Sequence, residues 1–291
     1  MIKNYLGSIY LTLAASIWGG TYVVSKLVLT VIPPLELVWL RYVVALLTLA
    51  IIGLATHQSW KIDKRDIPLI LAIGVIGYFI SIWAQFAGTQ LSTAQMGAVI
   101  TSSTPAFMVI FARFLLKETL TIRKGISVCL ATIGVLLIVG VGEASSPFQL
   151  GGLVLGIAAL TWALMSVLVK RIPSKYSQLV ITTYAIFIAT IAITPLAAPQ
   201  LHSTHLDLLL QPMVWSGILY LGIVATAGAF YFWNKGLQMV DATRGGLYFF
   251  FQPLVGTLLG WLFLGEQVGI TFWLGTLLIV SGVLLVIKNQ P

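Results

Sequence analysis

Charge is the scarcest feature of this 291-residue chain: Asp, Glu, Lys and Arg together make up 8% of it, against 59% hydrophobic residues and a mean hydropathy of +1.02. Soluble domains carry about 25% charged residues, and a chain this poor in them cannot cover a water-facing surface. An ordinary soluble protein is excluded; lipid must be the solvent for most of the surface. The single cysteine, Cys129, sits in an apolar run without an intrachain partner, so disulfides contribute nothing. No Gly-x4-Gly-Lys-Ser/Thr stretch is present, so ATP-driven transport is unsupported, and no cofactor is expected. Histidine occurs only at 57, 202 and 205, and the His202, His205 and Asp207 trio reads as a surface loop rather than a metal site. The eight acids, Glu36, Asp63, Asp66, Glu118, Glu143, Asp207, Asp241 and Glu266, all fall in connections or near the ends of apolar runs. A proton relay through a buried carboxylate is therefore disfavoured, with Glu36 left open. If a membrane helix takes roughly 20 residues, ten use most of the chain and leave no room for a soluble catalytic domain.

Ten apolar runs are present, near residues 5–28, 35–55, 67–87, 94–116, 124–141, 150–169, 177–197, 213–234, 243–264 and 270–287. They are long and continuously apolar where barrel strands would alternate, so the expected fold is an all-α polytopic membrane protein with ten transmembrane helices. Of the 16 basic residues, 13 lie at the N-terminus, in even-numbered connections or at the C-terminus, from Lys3 through Lys61, Lys117 and Lys170 to Lys235 and Lys288. The odd-numbered connections hold none. Both termini are therefore expected to be cytoplasmic, and the net charge of +8 is a topology signal with an attraction to anionic lipid, not a nucleic-acid footprint. Arg113 sits near the cytoplasmic end of span four, whereas Lys26 and Arg41 lie toward the outer face.

The chain repeats itself. Trp18 and Lys26 match Trp162 and Lys170 at a spacing of 144 residues. Gly74, Gly88, Gln90, Ala94, Gly97, Pro105, Glu118 and Gly134 match Gly222, Gly236, Gln238, Ala242, Gly245, Pro253, Glu266 and Gly282 at 148. A cleavable leader at the N-terminus is disfavoured, because the repeat includes that segment. Two five-helix halves, 1–142 and 148–288, are expected. Five is odd, so the second half enters the membrane from the opposite side, and inverted repeats of this kind suit alternating access.

These features resemble the ten-helix EamA-type members of the drug/metabolite transporter superfamily. The matching residues are Trp18-Gly19, Leu40-Arg41-Tyr42 with Ala45, Pro105, Pro253, Phe114-Leu115-Leu116-Lys117-Glu118 and Phe263-Leu264-Gly265-Glu266. The resemblance implies a central cavity lined by spans one, three, four, six, eight and nine, and export or exchange of small metabolites such as amino acids across a prokaryotic inner membrane. Arg41 departs from the repeat, facing Thr183 if Tyr42 is matched to Tyr184.

Pro105 and Pro253 each remove a helix N–H and crowd the carbonyl four residues back. They are structural kinks or hinges beside a midplane site, with Gly19 and Gly20 as further points of bending or close packing. Before the prolines, Thr101 to Thr104 offer hydroxyls where Phe249, Phe250, Phe251 and Gln252 offer rings and an amide. Tyr78, Ser81, Gln85 and Thr89 form a polar stripe on span three, and Trp18, Thr21, Tyr22 and Ser25 another on span one. Trp162 and Met165 on span six and Tyr231 on span eight are their rough counterparts. Lys26 and Arg41 either snorkel outward or form an anion-attracting outer vestibule. Gly152, Gly156, Gly256 and Gly260 have the spacing for close helix contact within a monomer or across a homodimer. The expected function is a secondary transporter of a small amphipathic metabolite; a polytopic membrane enzyme and a non-transporting scaffold or sensor are the alternatives.

Overall fold

The computed structural model describes residues 2–91, 97, 100–139, 146–203, 211–264 and 269–287. Ala94, Glu143, His205, Asp207, Gly265, Glu266 and Lys288 lie outside them, as do the side chains of Lys3 and His202. Apart from turns and connections, the described residues are helical and form ten rods. These are α1 (Ile2–Val28), α2 (Pro34–Ala55), α3 (Lys64–Leu91), α4 (Thr104–Leu116), α5 (Ile122–Val139), α6 (Ser146–Val169), α7 (Gln178–Ser203), α8 (Pro212–Leu237), α9 (Ala242–Phe263) and α10 (Ile270–Ile287). Seven of them are long and apolar enough to cross a membrane, and α4 and part of α10 are shorter apolar helices. The outward faces carry bare apolar side chains, such as Ile51, Phe114, Leu153 and Ile270, as lipid contact requires. The chain is an all-α multi-pass membrane protein.

Two rods depart from α-geometry at matched places. Ile73–Ser81 in α3 and Tyr220–Gly228 in α8 are wound as π-helix. Such i→i+5 turns are rare and favour functional sites. The prolines also differ from simple mid-helix kinks. Pro105 follows a turn at 102–103, and Pro253 follows a 3₁₀ turn at Tyr248–Phe250. Each proline therefore sits in the first turn of a restarting helix, where its missing N–H costs least.

The repeat seen in the sequence is also a repeat of contacts. A Cβ placed on Gly88 would meet Leu155 and the Gly151 carbonyl, and one on Gly236 would meet Leu11 and the Gly7 carbonyl. Gly134 faces Gly275, Leu278 and Ile279, while Gly282 faces Ser127, Leu130 and Ala131. In each pair the first half touches the second as the second touches the first, which is the signature of a two-fold relation. Gly74 abuts the carbonyl of Ala185 and the side chain of Ile188, and Gly222 abuts the carbonyl of Arg41 and the side chain of Val44. This corrects the register of α7 by two residues: Arg41 corresponds to Ala185, not Thr183. It still has no charged twin.

Among the spaced glycines, Gly256 lies on Gly19, so α1 and α9 meet backbone to backbone, whereas Gly156 has nothing near it. At the face marked basic by the sequence, Lys175 pairs with Asp63, and Tyr176 donates to Asp66 at 2.7 Å. These contacts tie the α2–α3 and α6–α7 connections together. The Lys175 ammonium holds the Asp63 carboxyl below its ordinary range.

Because the atoms facing Gly74 include backbone, Gly74→Val has nowhere to put its methyls and should destabilise by roughly 1–3 kcal/mol. Gly125, with open space around it, should tolerate Ala and gain up to about 1 kcal/mol of helix propensity. Thermal melts of the two purified variants in detergent check both; equal midpoints would contradict the contact geometry.

Candidate functional site: a narrow cavity between the halves

Midway through the bundle, helices α1, α2, α3, α6, α8 and α9, the segment before α4 and the first residue of α4 line a cavity. The centre of a water molecule can reach only ≈ 30 Å³ of it. That is room for a few waters, so the space is narrow here. From α1 come Trp18, Thr21 and Tyr22, from α2 Arg41, and from α3 Ser81, Ile82 and Gln85. Thr101 and Thr104 face α6's Ala158, Ala159 and Trp162, and α8 and α9 supply Phe230, Phe249 and Gln252.

The repeat pairs this lining. Trp18 corresponds to Trp162, Ile82 to Phe230, Thr101 to Phe249 and Thr104 to Gln252, all of them on the wall. One half contributes hydroxyls where the other contributes a ring and an amide.

Aromatic rings form the larger part. Trp18 packs against Trp162 with centroids 5.3 Å apart, edge to face, and touches Phe230, Trp233 and Phe249 at 5.6, 5.3 and 5.8 Å. Its indole N–H donates to the Ala225 carbonyl at 2.9 Å, an acceptor within the π segment of α8. Trp162 is as deeply buried, 5% exposed, yet its indole N–H has no hydrogen-bond partner among the described residues.

The polar part is a directed chain. Thr101 Oγ1 donates to the Gly97 carbonyl at 2.6 Å, so its hydroxyl oxygen is left to accept from Tyr22, 2.8 Å away. Tyr22 in turn accepts from Gln85 Nε2 at 3.0 Å. Gln252 also approaches the Tyr22 hydroxyl, while its Oε1 is buried without a partner. Three helices and the segment before α4 thus converge on one phenol.

Arg41 is the residue whose position departs most from expectation. It is 2% exposed and lines the cavity rather than an outer vestibule. Its Nε donates to Thr226 Oγ1 at 2.7 Å, and Thr226 spends its own proton on the Leu221 carbonyl. The guanidinium carbon lies 5.1 Å from the Phe86 ring centre and 5.7 Å from that of Phe230. Snorkelling is unnecessary because rings and a hydroxyl replace water. Lys26, by contrast, is exposed.

The remaining candidates lie elsewhere. Tyr78 is buried beside the cavity, where it accepts from Asn234 Nδ2 at 2.7 Å. Met165 is seated against the backbone of Gly77. Tyr231 lies at a tilt to Phe232, and Phe251 lies parallel to Tyr248, both half-buried and off the cavity wall. Gly19 and Gly20 serve close packing, Gly19 against the Gln252 carbonyl and Gly20 under the Tyr220 hydroxyl, in an unbroken α1. Ile82, Ala158, Ala159 and Phe230 were not singled out from the sequence. The repeat held the clue for Phe230, which aligns with Ile82 at the same spacing that joins Gly74 to Gly222.

At the basic face a second polar group joins the halves. Glu118, just past α4, accepts from the backbone N–H groups of Ala242 and Thr243 at 2.9 and 3.2 Å and from the Thr243 hydroxyl at 2.8 Å. It caps the start of α9 from another helix, where a carboxylate also meets the positive end of the helix dipole. Glu36 is fully buried at the start of α2. Among the described residues no cluster of three potential metal ligands occurs.

The EamA-like transporter family matches the chain twice, over residues 5–140 and 149–288. The permease-like protein YdzE of Bacillus subtilis is 69% identical over 25% of this chain and 92% of its own length. YetK of the same organism, named as an uncharacterized transporter, is 28% identical over all of this chain and 90% of its own. PecM of Dickeya dadantii is 27% identical over 95% and 93%. A solved crystal structure superposes with a TM-score of 0.79 over 96% of both chains at 19% identity, a likeness of fold.

Removing the phenol's hydroxyl takes away the partner of Gln85 Nε2 and ends the bond to Thr101. Tyr22→Phe should lower stability by roughly 1–3 kcal/mol, read as a lower melting midpoint in detergent. An unchanged midpoint would mean that the Gln85–Tyr22–Thr101 chain does not hold the bundle.

Proposed function

The chain belongs to the EamA-like transporter family, and from that premise we propose that it is a secondary carrier moving a small amphipathic metabolite, an amino acid or related compound, outward by alternating access. The membrane is the cytoplasmic membrane of a prokaryote, with both termini inside, as the distribution of Lys and Arg indicates. The two halves, 1–142 and 148–288, are the moving parts. The protein acts as a monomer or homodimer with lipid and a small-molecule substrate as its partners, and works without catalysis, cofactor or nucleic acid.

The observation that carries this reading is the cavity itself. It lies between the halves, is walled by matched residues from both, and holds unspent hydrogen-bonding groups, the Trp162 N–H and Gln252 Oε1, inside an aromatic enclosure. Such groups are costly to bury without partners, and a substrate with both polar and apolar ends satisfies them. Because the space now admits only a few waters, substrate passage requires it to widen toward one face at a time. Separation of the halves at the basic face would break the Glu118 cap on α9, which makes that cap a latch for the inward-closed arrangement.

Reconstituted into liposomes, the protein should move at least one member of a panel of amino acids and amphipathic compounds faster than empty vesicles do. In that assay Trp18→Ala, Gln85→Ala and Gln252→Ala should raise the apparent KM about fivefold, the equivalent of roughly 1 kcal/mol of lost contact. Unchanged affinity in all three removes them from the site, and no flux for any compound removes the carrier reading.

The latch has its own readout. In a Cys129→Ser background carrying Thr104→Cys, a membrane-impermeant maleimide applied from the cytoplasmic face should label the cavity severalfold faster when Glu118→Ala is added. An equal rate would show that the cap does not gate that side.

A further inference from the structure

Resting on the carrier reading above, we infer that Arg41 is the anion receptor of the central cavity, and that the substrate is anchored through a carboxylate, its apolar body lying against the tryptophan and phenylalanine wall.

The charge balance supports this inference. Arg41 is a fully formed cation held 2% exposed in the middle of a membrane protein. No Asp or Glu pairs with it among the described residues, whose ion pairs all lie at connections. Its compensation comes from ring faces and one hydroxyl. An arginine presents five N–H groups in a planar fork suited to a carboxylate. Among the described residues only the Nε–H is taken, by Thr226, which leaves the two terminal nitrogens for a ligand on a wall that Arg41 helps to form.

A second, independent feature has the same donor character. Trp162 leans on the same Phe230 ring that Arg41 covers, with centroids 5.4 Å apart, and its buried indole N–H has no acceptor among the described residues. The repeat makes this informative. Trp18, its twin, spends its N–H on a backbone carbonyl, so the vacancy at Trp162 is not imposed by the position. Unused donors on the cavity wall, together with a positive charge that has no acidic partner among the described residues, specify an anionic acceptor. A carboxylate supplies it, and the aromatic wall selects a carboxylate with an apolar substituent. Gln252 Oε1 is a spare acceptor for any N–H or O–H the substrate bears in addition.

Three isosteric probes test this with the full-length protein in detergent: 3-phenylpropionate, its neutral amide, and 3-phenylpropylamine, titrated against tryptophan emission. The carboxylate should bind at least tenfold more tightly than the amide, and the amine most weakly. In Arg41→Gln the carboxylate should lose its advantage, giving a ratio near one, while amide affinity stays within about threefold of wild type. Arg41→Lys, which keeps a charge but loses the fork, should fall between. A wild-type ratio near one, a preference for the amine, a ratio unaltered in Arg41→Gln, or failure of all three probes to bind would each overturn the inference. If Arg41→Gln does not fold, the wild-type ratio and Arg41→Lys decide it. Liposome flux separates this inference from the carrier reading. Flux of amines or neutral solutes with no carboxylate preference leaves the carrier and removes the anion site; a carboxylate preference without flux does the reverse.

Discussion

Hydrocarbon offers no hydrogen bonds, and that constraint shapes every polar contact in this protein. A polar side chain on an apolar helix must find its partner on another helix or on its own preceding turn. Trp18 reaches a carbonyl of α8, Trp233 of α8 reaches Ser166 of α6, and Asn234 of α8 joins Tyr78 of α3 to Thr182 of α7. Each such bond is worth about 0.6–2 kcal/mol in a membrane, and each also fixes a helix in rotation. The polar minority of the sequence thus holds the bundle in register from within, while the apolar majority only decides what faces lipid.

Glycine supplies the complementary attraction. Where the solvent is as apolar as leucine, helices associate through close packing and not through hydrophobic burial. Three of the glycine pairs spaced at 148 residues, Gly74 with Gly222, Gly88 with Gly236 and Gly134 with Gly282, mark places where one backbone lies close to another across the two-fold relation. Arg41 fits into the same arrangement. Its carbonyl touches Gly222 of α8 while its side chain bonds Thr226 one turn later, so one helix crossing sets both the packing and the placement of the buried charge.

The membrane spans were legible because lipid punishes any polar interruption, and the two halves were legible because glycine positions leave a mark that composition alone does not. Trp18, Tyr22, Ser81, Gln85, Thr101, Trp162 and Gln252 stood out as polar or amphipathic residues in apolar helices, and the structure brings them to one cavity. The facing of their neighbours was not legible. The π turns of α3 and α8 and the 3₁₀ turn before Pro253 change the angle per residue, so a 3.6-residue stripe extrapolated through them points wrongly. Phe251 and Tyr231 fall off the wall for that reason, and Phe249 and Phe230 fall on it. The burial of Arg41 is not legible for a different reason: a sequence sets an arginine against lipid, whereas its surroundings are rings and a hydroxyl that only the folded chain assembles.

The matched lining has a consequence for the resting balance of a two-state carrier. Were the halves identical, the inward-closed and outward-closed arrangements would be mirror descriptions of one structure, equal in energy and equally populated. Every bias must come from the places where the halves disagree, and the wall holds many of them: Thr101 against Phe249, Thr104 against Gln252, Ile82 against Phe230, Tyr22 against Ser166, Gln85 against Trp233, and Arg41 against Ala185. Each 1.4 kcal/mol contributed by these differences shifts the two populations tenfold. The broken symmetry of the cavity is thus also its thermostat: the same side chains that distinguish one substrate from another set which way the empty protein prefers to face.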